Sequence, residues 1–455
     1  MRILRVGTNE FTEKWSSLLR RRERLVDELS AEVESQLQQY RSEREQFLMD
    51  AALKYDNLTL TEDSLWVEWD QIKKSHKQIS PEVRQAIDHA KDRIERFQVA
   101  LKLPSFQAEE EAGVFWGTEI RPLESVGIYI PGGSSNYFMT LLLCAVPAKM
   151  ANVKEIVIAT PPKKKLGPPY VDATLLYAAK LFEIQKILLA GSVGALAALA
   201  FGTKHSSPVE KIVGSGNRRT AVAKLRLAGF VGTDGLSGPL ETAFVCDETS
   251  EIKSIAADIV GKADGDPEAE IFLFHHDETW IKSLLNELVE TLGRMTMKDG
   301  MSEKGSIQKC LERNTNFFLV DNFDQGLKLV NQLAPGILCL PVENASDHLE
   351  KVRACGSVLL GNFTPPVGMD LVGGPSGLVT TLGSAAYSVS MSPASFVRRF
   401  TVMEFDKMAL LRFEKEAVKL AQEEGFRTHE ASYRSRFEES DTHDNHPSQD
   451  KKKAR

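Results

Sequence analysis

Nine histidines, five cysteines and several glycine-rich turns are the residues of this chain whose types and spacing bear on chemistry. A catalytic zinc ordinarily takes three protein ligands drawn from His, Cys, Asp and Glu. His76, His89, His205, His275, His276, His348, His429, His443 and His446 form no HExxH or HxH motif, and no CxxC pair accompanies them. His275 and His276 are neighbours after an apolar run and read as a loop surface feature, because adjacent residues at a strand end point to opposite faces. From residue pattern alone, zinc is not expected. Phosphate chemistry is better represented. Pro131-Gly132-Gly133, Ala190-Gly191-Ser192-Val193-Gly194 and Gly214-Ser215-Gly216-Asn217 lie at the ends of apolar runs. Glycines there let backbone N–H groups approach a phosphate at the positive end of a helix. Each alone is equally a tight turn, but three at the strand ends of one α/β unit converge on one edge, the usual ligand crevice. Asn217 has the donors and acceptors to hold a ribose or a nicotinamide amide. Asp370 falls in Thr364-Pro365-Pro366-Val367-Gly368-Met369-Asp370, just before Gly373-Gly374-Pro375-Ser376-Gly377. So much Gly and Pro demands an irregular loop, of the kind that lines sites or caps its own backbone.

The elements that position these turns follow from hydrophobic pattern. Glu13 to Ala51 reads as long amphipathic helix. Ser80-Pro81-Glu82-Val83 is a helix start, with Ser as cap, Pro first and an acid in the first turn, and the helix runs towards Leu101. From Glu124 the pattern changes to short apolar runs alternating with helices. Val126 to Ile130, Glu155 to Ala159, Lys186 to Ala190 and Ile212-Val213 are strands; Thr140 to Ala151, Ala173 to Leu181 and Val193 to Phe201 are helices. That alternation predicts a parallel sheet covered on both faces. A second series, at Ala243 to Val245, Ile271 to Phe274, Phe317 to Val320 and Val358 to Leu360, predicts a second α/β domain. Ala394 to Glu424 reads as a helical end piece. Residues 438–455, polar and ending in a lysine cluster, read as a disordered tail.

At 455 residues the chain is long enough for two or three domains. Its net charge of −7 argues against general nucleic-acid binding, and no apolar run approaches the length of a membrane span. The N-terminus lacks a secretory pattern. The five scattered cysteines read as reduced thiols of a cytoplasmic protein.

Ser125 to Gly133 (Ser-Val-Gly-Ile-Tyr-Ile-Pro-Gly-Gly) and Val146 to Lys154 (Val-Pro-Ala-Lys-Met-Ala-Asn-Val-Lys) closely resemble the glycine-rich nucleotide-domain entry of histidinol dehydrogenase. The resemblance keeps its order from Val26 to Phe437, through Ser192 to Thr203, Lys211 to Asn217, Ser237 to Glu241, Ala354 to Thr364, Phe396 to Met403 and Glu424 to His429. It implies an α/β fold of two incomplete Rossmann-like three-layer domains with parallel sheets, plus helical N- and C-terminal segments. The implied division is an arm over 1–25, a discontinuous first domain of 26–124 and 237–392, a nucleotide-binding-like domain over 125–236, and a dimer-swapped segment over 393–437. The implied reaction is the NAD-dependent oxidation of L-histidinol through its aldehyde to L-histidine in a homodimer. There zinc polarises the substrate, a His acts as base and a Glu activates water. By position, Tyr129, Pro131, Gly132, Gly133 and Asn217 fall at the cofactor, and Glu241 and Glu424 at the substrate. Asp370 and His429 fall on zinc ligands. Glu424 and His429 would come from the partner's C-terminal segment.

The departures concern the same chemistry. Lys262 and Gly265 stand at the positions of a zinc-binding Gln and His. Gly336 and Ile337 stand at those of the Glu-His pair. Gly377, Leu371 and Leu240 replace a His, a Tyr and a Ser, and Gly194 replaces a Gln near the cofactor. Four readings follow. In the first the chain keeps the fold and does not perform the reaction. In the second it pairs with an intact paralogue, donating Glu424 and His429. In the third it is an NAD-dependent dehydrogenase of another alcohol without zinc, with Lys262 as base. In the fourth it oxidises histidinol with the metal held differently. NAD is the candidate cofactor, zinc is not expected, and the candidate partners are a second copy, a paralogue and a small-molecule ligand.

Overall fold

The structure is a computed structural model and describes residues 2–133, 135–298, 304–375 and 377–437; the expected tail over 438–455 lies outside them. Contacts divide the chain into one unit of Met1–Leu103 with Pro122–Val397, and another of Pro104–Arg121 with Arg398–Arg455.

The first unit contains two parallel sheets. One has six strands in the order Ile3–Arg5, Thr315–Leu319, Glu270–His275, Glu241–Val245, Ile337–Leu340, Ser357–Leu360. The other has five, in the order Lys186–Leu189, Glu155–Thr160, Ser125–Tyr129, Lys211–Val213, Gly232–Thr233. Their strands are almost wholly buried apolar runs, as sheets covered on both faces require. The expected α/β class is therefore what the chain forms. Among the described residues no helix is long and apolar enough to cross a membrane, and the five cysteines are unpaired.

The cores group the helices differently from the expected division. The helix Arg21–Glu43 buries Leu25, Leu29, Val33, Leu37 and Tyr40, a stripe at helical spacing. That stripe, with Leu48, Ile72, Ile87 and Ile94, shares one core with the five-stranded sheet, and from 237–392 Leu382 and Met391 join it. Residues of the expected N-terminal arm join the six-stranded sheet instead. Ile3–Arg5 is its edge strand, and Trp15 packs edge-on against Phe318 at 5.5 Å, with Phe274 stacked behind at 4.9 Å.

In the second unit the expected helical end piece contains a strand. Val397–Phe405, Val114–Pro122 and Phe106–Glu111 form a three-stranded sheet. The β-branched and aromatic residues Val397, Phe400, Thr401, Val402 and Phe405 favour a strand over a helix here, although most of this strand is exposed. Helices Lys407–Arg412, Glu414–Glu423 and Arg427–Arg434 follow.

Candidate functional site

Two of the three glycine turns of the five-stranded sheet, those of Gly132 and Gly191, meet at Pro161. A Cβ on Gly132 would lie 2.6 Å from Pro161 Cγ, and one on Gly191 3.0 Å from Pro161 Cβ. The Pro161 ring can approach both backbones this closely only because the glycines lack side chains. Tyr129, expected at a cofactor, is buried, and its hydroxyl accepts the Ser192 N–H at 3.1 Å. It thereby satisfies one of the orphan donors that open the helix Ser192–Phe201. Burial, opposed by the Ser192 N–H, pushes this phenol up to about 12. Gly133 has a φ of +126°, at the turn before the helix Phe138–Met150. Close by, Lys163 Nζ donates to Asn136 Oδ1 at 3.1 Å and to the Ser135 carbonyl.

Asn217 is a helix cap: its Oδ1 accepts the Thr220 N–H at 3.1 Å and starts Arg218–Leu227. The turn before it is fixed from inside. Gly214 has a φ of +117°, and a Cβ there would lie 2.1 Å from Tyr129 O. Its N–H donates to Asp234 Oδ2 at 2.8 Å, and the buried Lys224 ammonium bridges Asp234 Oδ1 at 2.6 Å and the Gly214 carbonyl. Gly194 packs against the helix Glu45–Asp56, where a Cβ would come 3.0 Å from Phe47 and 3.1 Å from Leu48. A longer side chain at 194 would have to displace Phe47.

A second centre lies at the six-stranded sheet. Lys262, on the helix Ile252–Gly265, is 5% exposed. Its Nζ lies 2.6 Å from Oδ2 of Asp370 in the π-helical turn Met369–Gly373. One helical turn back, burial lifts the Asp258 carboxyl to about 6 against the pull of Lys262. Gly265 has nothing within 4 Å of a Cβ position, whereas a Cβ on Gly377 would lie 2.2 Å from Asp370 Oδ1. Gly336 is closed as well, since a Cβ there would meet Val379 Cγ2 at 2.7 Å. Ile337 is fully buried and belongs to the apolar core with Ile255, Ile259, Met369 and Val379.

These residues do not fit a zinc ion. Asp370 already holds an ammonium, and a dication beside it would meet that charge at ~3 Å, a repulsion on the order of 10 kcal/mol at an effective dielectric of ~20. Among the described residues no group of three or more His, Cys, Asp or Glu has metal-holding geometry.

Glu241, expected at a substrate, is 1% exposed and faces Arg21. Arg21 Nη2 donates to Glu241 Oε2 at 3.1 Å and to the Leu333 carbonyl at 2.9 Å, while Nε takes the other carboxylate oxygen. Both oxygens are thus spent inside the fold. The pairing links positions 220 apart, and no local pattern signals it. The His275–His276 expectation also changes. His275 is buried at the end of its strand, stacked on Trp280 at 4.2 Å and on His276 at 4.7 Å, with Nδ1 accepting the Asp277 N–H. Burial lowers its pKa. The aromatic wall of Trp280 outweighs strand alternation here. In the second unit Glu424 and His429 are both exposed, and the His429 ring stacks on Phe426 at 4.5 Å.

The family model for Histidinol dehydrogenase matches residues 19–437. The chain belongs to that family. It is 32% identical over 438 residues to a histidinol dehydrogenase of Clostridium acetobutylicum, covering 96% of this chain and 99% of that one. It is likewise 32% identical over 413 residues to one of Listeria monocytogenes, covering 90% and 94%. The crystal structure of histidinol dehydrogenase from Elizabethkingia anophelis superposes with a TM-score of 0.82 at 28% identity, over 90% of this chain and 92% of that one.

Proposed function

We propose that this chain keeps the histidinol dehydrogenase scaffold as a dimer-forming protein and has given up oxidation at its own centre. In this reading its C-terminal segment still supplies Glu424 and His429 to the active site of an intact paralogue. The observation that carries it is the 2.6 Å contact between Lys262 Nζ and Asp370 Oδ2, at the two positions where the resemblance puts metal ligands. Support also comes from Gly336 and Ile337. Loss of a positioned acid–base group alone costs ~10²–10⁴-fold in rate, and neither residue titrates. The exposed pair Glu424 and His429 keeps the donors and acceptors that a neighbouring site would use. NAD remains the candidate ligand of the 125–236 lobe, with the Pro131–Gly133 turn and the Lys163 ammonium as its phosphate contacts.

The test is complementation of a histidine auxotroph. The chain alone should not restore growth, with or without added zinc. Co-expressed with an intact family member whose own counterparts of Glu424 and His429 are alanine, it should restore growth, and Glu424→Ala/His429→Ala in this chain should abolish that rescue. Growth on the chain alone would overturn the loss of oxidation. Absence of rescue from a mixed dimer that demonstrably forms would overturn the donor role. Calorimetry with NAD addresses the cofactor separately: saturable heat is expected, and none would remove NAD from the account.

A further inference from the structure

Numbered in chain order, the five-stranded sheet runs 3-2-1-4-5, the order of a doubly wound dinucleotide-binding sheet short of its sixth strand. In such a sheet a carboxylate at the end of the second strand holds the ribose 2′-hydroxyl of NAD, whereas a basic residue there accommodates the 2′-phosphate of NADP. Here the second strand, Glu155–Thr160, runs on through Pro161-Pro162 into Lys163-Lys164-Lys165, and no acid occurs from Thr160 to Val171. Gly132, in the turn after the first strand, packs against Pro161. The three lysines therefore follow directly from the edge of the glycine turn.

The loop that carries them is held by its own backbone. The Lys163 N–H donates to the Tyr170 carbonyl at 2.7 Å, and the Leu166 and Gly167 N–H groups donate to the carbonyls of Lys163 and Lys164 at 3.0 and 3.1 Å. Lys163 Nζ donates to the Ser135 carbonyl and to Asn136 Oδ1, and Lys164 Nζ to the Asn57 carbonyl at 2.8 Å. All three acceptors are neutral, and among the described residues no carboxylate pairs with any of the three ammonium groups. Asp172 attracts Lys163, but its Oδ1 already accepts the Thr174 N–H at 2.9 Å and caps the helix Ala173–Leu181. Burial first, and the neighbouring Lys165 charge after it, lower the Lys163 pKa against that attraction. Lys164 and Lys165 are exposed. Like charges gathered without a counter-ion repel one another, and a phosphate dianion relieves that repulsion while supplying acceptors for charge-assisted hydrogen bonds. Neutral ribose hydroxyls would leave it in place.

We infer that this lobe prefers a dinucleotide with a phosphate monoester on its adenosine ribose, NADP(H), over NAD(H), with Lys164 and Lys165 as the contacts to that phosphate. The inference rests on the reading of the 125–236 lobe as a dinucleotide site, in which Lys163 serves the bridging phosphates.

The test is titration calorimetry of the full chain with NADP+ and with NAD+, at low and at high salt. NADP+ should bind roughly tenfold or more tightly than NAD+, the gain of charge-assisted contacts to one further phosphate. The gap should narrow as salt is raised, because exposed charges make it. Lys164→Gln/Lys165→Gln, at two exposed positions, should reduce the NADP+ to NAD+ affinity ratio about tenfold. Binding of NAD+ as tight as that of NADP+, or a gap that the double variant leaves intact, would overturn the preference and leave the dinucleotide reading of the lobe standing. Absence of saturable heat with either would overturn both. The NADP+–NAD+ comparison uses the unaltered protein, so it decides the matter even where the variant does not fold.

Discussion

In the crevice of the five-stranded sheet a Cβ on Gly214 would lie 2.1 Å from a backbone oxygen; at the second centre, Gly265 has nothing within 4 Å of that point. The first glycine is demanded by backbone geometry, and any chain with this turn needs it. The second answers no steric demand, so a side chain could stand there. The ion pairs differ in the same way. Lys224–Asp234 is sealed, with side-chain exposures of 1% and 9%, and holds a turn; in Lys262–Asp370 the acid is 37% exposed. One region has kept its architecture under steric and electrostatic constraint. The other holds a half-open ion pair beside glycines, at positions where the proposed reading puts a metal.

The largest effect that would sharpen this contrast is expected from Lys224→Met. It strands a buried Asp234 and should cost about 3–5 kcal/mol in urea denaturation. Lys262→Met leaves an acid that water can reach and should cost about 1 kcal/mol or less. Equal losses would erase the distinction. Next come the glycines: Gly214→Ala should destabilise by about 2–4 kcal/mol, as strain at positive φ adds to overlap. Gly265→Ala, at a helix end with open space, should shift stability by less than ~1 kcal/mol and in the stabilising direction. The smallest effect concerns Asp258, whose folded pKa near 6 lies above the unfolded value of ~3.9. Between those values the folded protein holds a proton that the unfolded chain releases, so stability from this group falls as pH rises from about 4 to about 6. Asp258→Asn should therefore stabilise at pH 7, by about 1 kcal/mol or less after solvent screening, and the gain should vanish towards pH 4. A gain that grew on acidification would contradict the burial of this carboxyl.

Local signals were legible in the sequence where the physics is local. Ser80 caps its helix as its residue type predicts, accepting the Val83 N–H. Four strands of the five-stranded sheet start and end within a residue or two of their apolar runs, whereas the two-residue edge strand Gly232–Thr233 has no such run to mark it. Glu13 to Ala51 is less continuous than its composition implies, because Arg44 takes a φ of +56° and separates two helices. That break is set by tertiary packing: Glu45 is buried and accepts the Lys204 N–H. Strand Ile337–Leu340 escaped notice as a four-residue run whose partners lie far away in sequence. At the second centre the apolar character of Gly265, Gly336 and Ile337 is plain from the sequence, but the closure of Lys262 onto Asp370 needed coordinates.

Val379 leans on two glycines, Gly336 and Gly356, with virtual Cβ distances of 2.7 and 2.8 Å. Reinstating a glutamate at 336 would collide with that valine before it could reach any substrate. An acid at 336 thus requires that position 379 shrink or shift first. Gly336→Glu alone would carry that overlap, whereas Val379→Ala made beforehand would remove it, so the two substitutions are not interchangeable in order.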